Sequence, residues 1–292
     1  MTRLRRLWRD PWGRPRWLVL ITWLYLAWSI VPVVIAVQFS FNKGKSKSVW
    51  QGFSMRWYTT DPRQSVLHDP SLHSALTNSL KLAALTMLIA TPLGVALAVG
   101  LARWRSRASS GAQGLMLFPL ITPEIVMGVS LFLVFTSLYR TISLGFWAQL
   151  LGHVTFNISA VVIIVRGRLL AIGTQYEEAA RDLGATRLQA LVHVLVPNLM
   201  PAIFASVMVV FATSIDDFVI SSYLSANAGD QTVPMKIYST GRAASTPALN
   251  ALASIMLVFT LVAVAAAAVV LRTLRHRGGG EGGSAALVTL ST

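Results

Sequence analysis

Six long apolar segments, separated by polar connections, set the pattern of the chain. Each has about the 20 residues that a helix needs to cross the hydrocarbon of a bilayer. A helix also satisfies its own backbone hydrogen bonds in lipid, so each segment predicts a transmembrane helix. The predicted spans are residues 18–39, 76–101, 114–138, 146–165, 199–223 and 251–271. We therefore expect an all-α, polytopic membrane protein.

The composition agrees with this class. Hydrophobic residues make up 54% of the 292 residues and charged residues 12%, and the mean hydropathy is +0.60. Such a chain is too apolar for a soluble domain of its length. Arginines precede the first span, as in a signal peptide, but that span is too long and ends in no cleavage pattern, so we expect it to be retained. The absence of cysteine excludes disulfides and thiolate sites.

The distribution of basic residues predicts the topology. With the N-terminus inside, the inner segments carry sixteen basic residues and the outer segments eight, a two-to-one bias. This bias favours two cytoplasmic termini and explains the net charge of +14 without nucleic acid as a partner. The expected domains are a basic cytoplasmic N-terminus at 1–17, a six-helix transmembrane domain at 18–271 with an inner loop at 166–198, and a flexible cytoplasmic tail at 272–292.

The inner loop contains two short helices in its second half, where the sequence from 174 to 201 reads TQYEEAARDLGATRLQALVHVLVPNLMP. A capping box, in which two side chains satisfy free backbone N–H groups, is predicted twice: for Thr174 with Glu177 and for Thr186 with Gln189. Gly184 suits a left-handed C-terminal cap between the helices. Pro197 predicts the end of the second helix, because proline lacks a backbone donor. Periodicity alone is equally consistent with an amphipathic hairpin that lies on the membrane or packs on its own bundle.

The inner loop resembles the E-A-A-x3-G-x9-I-x-L-P signature of the inner-membrane permease subunits of binding-protein-dependent ABC importers. Glu178, Ala179, Ala180, Gly184 and Pro197 occupy the motif positions. Valine replaces the usual isoleucine and leucine at 194 and 196. The resemblance implies the type I ABC importer permease fold.

The resemblance also implies that this loop is a coupling helix, which docks in a groove of a cytoplasmic ATPase. Glu178 is then an anchoring charge, Ala179 and Ala180 form the contact surface, and Gly184 makes the turn. Asp182, on the same helix, completes the set of residues that we expect to couple to the ATPase.

The chain itself lacks a phosphate-binding loop. Its one Gly-Lys-Ser sequence begins at Gly44 in a predicted outer loop, and Phe39 stands where the motif needs its first glycine. We therefore expect a permease subunit without catalytic residues, cofactor or metal, in which separate subunits hydrolyse ATP.

Four ionisable residues fall within predicted spans, where charge is costly and marks candidate functional sites: Lys81, Glu124, Asp216 and Asp217. Helical spacing puts Asp217 on a polar face of the fifth span together with Thr213, Ser214 and Ser221. Pro119 and Pro123 are expected to kink the third span near Glu124. We expect the substrate pathway to include Glu124, Asp216, Asp217, Ser221 and Tyr223.

Two structural roles compete with this interpretation. Lys81 lies at a depth similar to that of the two aspartates, so an ion pair with either would neutralise buried charge. His153 and Asn157, in the fourth span, are interpreted as interhelical hydrogen-bond partners rather than substrate ligands.

Four segments narrow the resemblance to the second permease subunit of spermidine/putrescine importers: NKGKSKSVWQGFSMRWYTT, LFPLITPEIVMGVSL, FATSIDDFVISSYL and TVPMKIYSTGRAASTPALNAL. This family often has aspartate where Glu124 stands, which keeps the charge. The resemblance implies a small cationic substrate, a polyamine such as spermidine or putrescine, which agrees with the intramembrane carboxylates.

The resemblance implies that the chain is a multi-pass protein of the inner membrane of a prokaryote, in contact with lipid. It also implies an assembly with other subunits. This assembly includes a homologous second permease subunit, two cytoplasmic ATPase subunits and an extracytoplasmic substrate-binding protein. The alternatives are an ABC import permease for another small solute, such as ferric ion or a sugar, an ion-coupled secondary transporter or channel, and a membrane-anchored scaffold.

Overall fold

The computed structural model describes residues 16–46, 48–103, 107–139, 141–244 and 246–278. Most of the predicted N-terminal segment 1–17 and residues 279–292 of the predicted tail lie outside this part. In chain order the helices are α1 Arg16–Ser40, α2 Pro70–Arg103, α3 Arg107–Ile121, α4 Glu124–Leu133, α5 Phe146–Ile172, α6 Gln175–Asp182, α7 Arg187–Asp216, α8 Val219–Leu224, α9 Val233–Ala244 and α10 Pro247–Gly278. α10 thus continues past the predicted span end at residue 271.

The expected all-α membrane fold is confirmed over the described residues. Five helices, α1, α2, α5, α7 and α10, are long and apolar enough to cross a membrane. α3 and α4, the latter extended by a π-helical turn to Leu138, pass the same test only as a bent pair, which makes a sixth span if the pair crosses the membrane as one unit. The described part contains one isolated β-bridge, between Asn42 and Phe53, and no strand.

The bundle is built around α5, which packs against both α2 and α7. Leu82, Val161 and Leu199, one from each of these helices, are fully buried in their common core. Small residues let the backbones approach closely: a Cβ atom on Gly94 of α2 would lie 2.5 Å from Cβ of Val161. By contrast, α1 contacts α10 and is exposed along most of its length.

The third span is sharply broken rather than kinked. α3 and the helix that begins at Glu124 meet at an angle of 106°. Pro123 stands at the break with extended backbone, φ −54° and ψ 134°. Proline lacks a donor and disfavours helical backbone in the residue before it, which favours the end of α3 before Thr122. Pro119, in contrast, lies inside α3.

The fifth span is also broken, which corrects the prediction of one helix over 199–223. α7 ends at Asp216, Asp217 has extended backbone with ψ 125°, and α8 begins at Val219. The Asp217 carboxylate accepts hydrogen bonds from the backbone N–H groups of Ile220 and Ser221. A side chain that competes in this way for backbone donors favours a helix end over a continuous helix.

The start of α7 corrects a second prediction, because Pro197 does not end the second helix of the inner loop. The helix runs from Arg187 to Asp216 without interruption. A π-helical turn at Leu191–Leu195 shifts the hydrogen-bond ladder, so that the N–H of Val196 reaches the carbonyl of Leu191. Pro197 then falls at the start of a new helical segment, where its missing donor costs little.

The segment between α1 and α2, predicted to lie outside, folds around a buried tryptophan. Trp57 is fully buried, and its indole N–H donates to the carbonyl of Asn42 at 2.6 Å. Arg56 donates to the carboxylate of Asp61 at 2.6 Å, and this contact lowers the pKa of Asp61 to about 2. These contacts within the segment stabilise its local structure.

Candidate functional site

The breaks in the third and fifth spans open onto one cleft of about 420 Å³ beside α5. Irregular backbone within a membrane protein is tolerated where it lines a cavity or is buried in protein, and the break at Asp217, whose residues line the cleft, meets this condition. The residues that line the cleft are Glu124, His153, Phe156, Asn157, Ala212, Thr213, Asp216, Asp217, Phe218, Val219 and Ile220.

Three carboxylates from the predicted pathway reach this cleft. Glu124 is the first residue of α4, where the positive end of the helix dipole favours a negative charge. Asp216 is the last residue of α7 and also borders a second cleft, of about 340 Å³, on its other side. Both side chains are exposed, and neither forms a hydrogen bond or ion pair with the described part of the chain. They are therefore free to meet a ligand.

Asp217 differs from the other two carboxylates because it is held in place. Its Oδ2 atom accepts from the backbone N–H of Ser221 at 2.8 Å, from the hydroxyl of Ser221 at 2.8 Å and from Nε2 of His153 at 3.1 Å. Oδ1 accepts only a longer bond, 3.3 Å, from the N–H of Ile220. The hydrogen bonds to Oδ2 thus fix the orientation of the carboxylate, while Oδ1 can accept further hydrogen bonds.

A stripe of residues on α5, four apart, holds the broken fifth span. It comprises Gly145, Gln149, His153 and Asn157, the first directly preceding the helix. Asn157 and His153 bond α7: Thr213 donates to Asn157 at 2.5 Å, and Nδ1 of His153 lies 2.8 Å from the hydroxyl of Ser214. The prediction that His153 and Asn157 are interhelical partners is confirmed, although both also line the cleft.

The other half of the stripe holds the chain after the break. The N–H of Gly145 donates to the carbonyl of Leu224 at 2.8 Å, and the Gln149 amide donates to the carbonyl of Asp230 at 3.1 Å. A Cβ atom on Gly152 would lie 2.6 Å from Leu224. Close packing and hydrogen bonds therefore fix α8 against α5.

The alternative structural role, an ion pair of Lys81 with Asp216 or Asp217, is not formed within the described residues. The ion pairs within the described residues are Arg56 with Asp61, Arg103 with Glu177, and His153 with Asp217 where the imidazole is protonated. Lys81 is exposed, whereas the next residues, Leu82 and Ala83, are buried in the bundle. Successive residues differ by about 100° around a helix, so Lys81 points away from the core.

Two pathway candidates do not line the cleft. Ser221 is fully buried and bonds Asp217 and His153, so it faces α5. Tyr223 is half-exposed and packs against α4, where a Cβ atom on Gly128 would lie 2.6 Å from its ring. Both residues were predicted to lie on one continuous helix. The break at Asp217 turns them away from the cleft.

The cleft also includes two aromatic residues that the sequence interpretation did not single out, Phe156 and Phe218. Phe218 directly follows the aspartate pair, and its ring packs against that of Tyr238 at 4.7 Å between centroids. An aromatic residue next to intramembrane carboxylates indicates a cation-binding site, because aromatic faces attract cations. The sequence therefore contained this signal at Phe218.

The inner loop projects from the bundle. α6 has no buried residue, and Glu178, Ala179, Asp182 and Gly184 are exposed while Ala180 is half-buried. Leu183 is 91% exposed and Leu188 is 69% exposed. An exposed apolar surface of this kind, outside the predicted membrane spans, is typical of a site for another protein.

One of the two predicted capping boxes is present. Thr186 accepts from the N–H of Gln189 at 3.3 Å, and its own N–H donates to the Gln189 side chain at 2.9 Å. Gly184 has φ +90°, as the predicted left-handed cap requires. The prediction of a capping box at Thr174 is wrong. The Thr174 side chain makes no capping hydrogen bond, and Glu177 instead pairs with Arg103 at the end of α2.

Comparison with known proteins finds membrane transport proteins that are similar to this chain in sequence. The family model for the binding-protein-dependent transport system inner membrane component matches residues 90–276. The spermidine/putrescine transport system permease protein PotC of Escherichia coli is 36% identical over 246 residues, 84% of this chain and 90% of that protein. The putrescine transport system permease protein PotI of Escherichia coli is 36% identical over 252 residues, 85% of this chain and 88% of that protein.

A solved structure supports the same fold. A bacterial ABC transporter involved in the import of the acidic polysaccharide alginate contains a chain that superimposes with a TM-score of 0.69 and 17% sequence identity. The match covers 92% of this chain and 99% of that chain. The expected ABC importer permease fold is confirmed, and at this identity the likeness concerns the fold alone.

The two capping threonines make a matched test of the inner loop. We expect Thr186→Ala to weaken the start of α7 by about 1 kcal/mol, because it removes a side-chain acceptor for a free N–H. Thr174→Ala is the control, since Thr174 makes no side-chain cap. Hydrogen–deuterium exchange of residues 187–190 measures the effect: faster exchange is expected in the first variant only. Equal exchange in both variants would contradict the assigned caps.

Proposed function

The chain belongs to the family of binding-protein-dependent transport system inner membrane components, and we propose that it is a permease subunit of an ATP-driven polyamine importer. It is a multi-pass inner-membrane protein, homologous to polyamine permease subunits. In the proposed assembly it pairs with a homologous permease, two ATPase subunits and an extracytoplasmic binding protein. The cargo passes from the binding protein through the cleft to the cytoplasm.

The convergence of Glu124, Asp216 and Asp217 on one cleft is the observation that carries this proposal. Ionisable groups within membrane spans are costly and are kept where they act on a substrate or ion. Carboxylates that are close together favour a ligand with several positive charges, because one charge alone leaves repulsion uncompensated. Spermidine and putrescine are linear polycations, and the relatives named for them are similar over most of the chain.

The end of α7 adds to the preference for a cation. Its last carbonyl groups lack helical partners, and the negative end of the helix dipole points toward Asp216. In membrane transporters, broken helices present such ends to bound cations. Phe156 and Phe218 supply aromatic faces for the methylene chain and the ammonium groups of a polyamine.

The fold does not set the cargo. The alginate importer with the same fold handles an acidic polysaccharide, which carries the opposite charge. The cleft residues therefore discriminate among cargoes, as expected when one fold serves several functions. An importer for ferric ion or a sugar remains the alternative that the cargo experiment tests.

The inner loop is proposed as the contact with an ATPase subunit. Its exposed apolar side chains Leu183 and Leu188 flank the Gly184 turn, and Glu178 and Asp182 add exposed negative charge beside them. This surface fits a helix-in-groove contact. Nucleotide-driven closure of two ATPases would then move the bundle between inward-facing and outward-facing states as a rigid-body switch.

The ion pair between Arg103 and Glu177 gives this motion a direct route into the bundle. α6 itself buries no side chain and otherwise packs against the start of α7. Arg103 is the last residue of α2, which packs along the central helix α5. We propose that the pair ties α6 to α2, so that a displacement of the loop reaches both α2 and α7.

The cargo is tested by reconstitution with the partner subunits in proteoliposomes. We expect ATP hydrolysis to be stimulated by a binding protein loaded with spermidine or putrescine, because the loaded state commits the permease to transfer. A sugar-binding and a ferric-ion-binding protein are the controls. Stimulation by either control, with none by the polyamine-loaded protein, would contradict the polyamine proposal.

A charge swap tests the proposed tie. We expect Arg103→Glu and Glu177→Arg each to reduce stimulated ATP hydrolysis about two- to fivefold, since an exposed pair contributes modestly. The double variant R103E/E177R should restore it, because the pair re-forms with opposite polarity.

The matched control for this swap is R103E/Q175R, which places a positive charge on the same helix at a residue outside the proposed ATPase contact. Gln175 is exposed and does not contact Arg103, so this variant should not recover. Recovery in both double variants, or in neither, would contradict the pairing. Co-purification of the ATPase subunits separates a loss of coupling from a loss of assembly.

A further inference from the structure

The imidazole of His153 touches both sides of the break in the fifth span. It lies 2.8 Å from Ser214 in α7, before the break, and 2.9 Å from Ser221 in α8, after it. It also lies 3.1 Å from the carboxylate of Asp217 at the break itself. The ring is 1% exposed, so these partners stand in place of water.

The partners fix which ring nitrogen carries hydrogen. The hydroxyl of Ser221 donates its one hydrogen to Asp217, so toward His153 this oxygen can only accept. Asp217 is likewise an acceptor. Nε2 therefore carries a hydrogen and donates to both oxygens, while Nδ1 meets the hydroxyl of Ser214, which can donate to it. Every polar group around the ring then has a partner with the imidazole neutral.

This arrangement constrains Asp217 more tightly than the other cleft carboxylates. The contacts from His153 and Ser221 all converge on Oδ2, which leaves Oδ1 with one long backbone contact. Glu124 and Asp216 have no such partners within the described residues. A carboxylate held by charge-assisted hydrogen bonds keeps one orientation and loses little conformational entropy when a cation binds.

We propose that His153 is a positioning residue, which orients Asp217 toward the cleft by joining α7, α8 and the carboxylate through one ring. The role is more specific than helix packing, because it depends on the hydrogen at Nε2. The transport readout below rests on the polyamine function proposed above, whereas the geometric readout does not.

Two amide variants separate the two ring nitrogens. The amide of H153Q extends as far as Nε2 and keeps a donor for Asp217. The amide of H153N extends only as far as Nδ1, so it keeps the contact with Ser214 and loses Asp217. Both variants are polar, uncharged and smaller than the imidazole, so they share the general costs of a buried replacement.

The transport measurement is spermidine uptake per ATP hydrolysed, in proteoliposomes with the complete assembly. We expect H153Q to remain within about threefold of the wild type and H153N to fall by about tenfold or more, which is the usual effect of losing a hydrogen bond to a charged group. ATP hydrolysis itself should be similar in both variants, because the inner loop is intact. A general folding defect would lower both quantities together.

The Asp217→Asn background completes the test. If His153 acts through the carboxylate, the difference between H153Q and H153N disappears when Asp217 is neutral. Equal uptake in the two amide variants, or a difference that persists in D217N, would overturn the proposal.

Hydrogen–deuterium exchange of residues 217–224 gives the second readout, which does not depend on the cargo. H153N should exchange faster than H153Q in this segment, because the anchor of Asp217 and α8 is lost. If the wild type takes up no spermidine, the proposed polyamine function is contradicted. The hydrogen–deuterium exchange of residues 217–224 still tests the role of His153 in that case. Equal exchange in both variants would then overturn that role.

Discussion

The structure depends on one constraint, namely that backbone polar groups within a membrane must find partners inside the protein. Two of the spans are nevertheless broken, at Pro123 and at Asp217. The second break persists because a stripe along α5, from Gly145 to Asn157, supplies hydrogen bonds to both of its sides. The central helix therefore serves as the frame on which an irregular segment is held at membrane depth.

The functional consequence is a cleft that carries three carboxylates within an apolar bundle. A continuous helix would place Asp216 and Asp217 about 100° apart, on different faces. The break instead leaves both on one cleft, and the break in the third span brings Glu124 to the same place. Charge that is costly in lipid is tolerated here because Asp217 is hydrogen-bonded and the other two carboxylates face open space.

The sequence predicted the spans and the outline of the inner loop because these follow from local rules. The length of an apolar segment predicts a transmembrane helix. The left-handed backbone at a helix end is most easily adopted by glycine, so Gly184 predicted the turn of the loop. The second break could not be predicted in the same way, because aspartate ends a helix only when its side chain reaches nearby backbone donors. The capping box predicted at Thr174 failed for a related reason. Its expected partner, Glu177, forms an ion pair with Arg103, which lies on a helix distant in sequence.

The candidate site shows the same division. Its three carboxylates stood out as intramembrane charges, whereas the contact of His153 with Asp217 was not foreseen, and the alternative pairing with Lys81 is not formed. The most direct test of the cleft is spermidine uptake by a variant with E124Q, D216N and D217N together. We expect uptake to be lost while the variant still assembles with its ATPase subunits, because in the proposed assembly these bind at the inner loop. Uptake at the wild-type rate would show that these carboxylates do not meet the cargo.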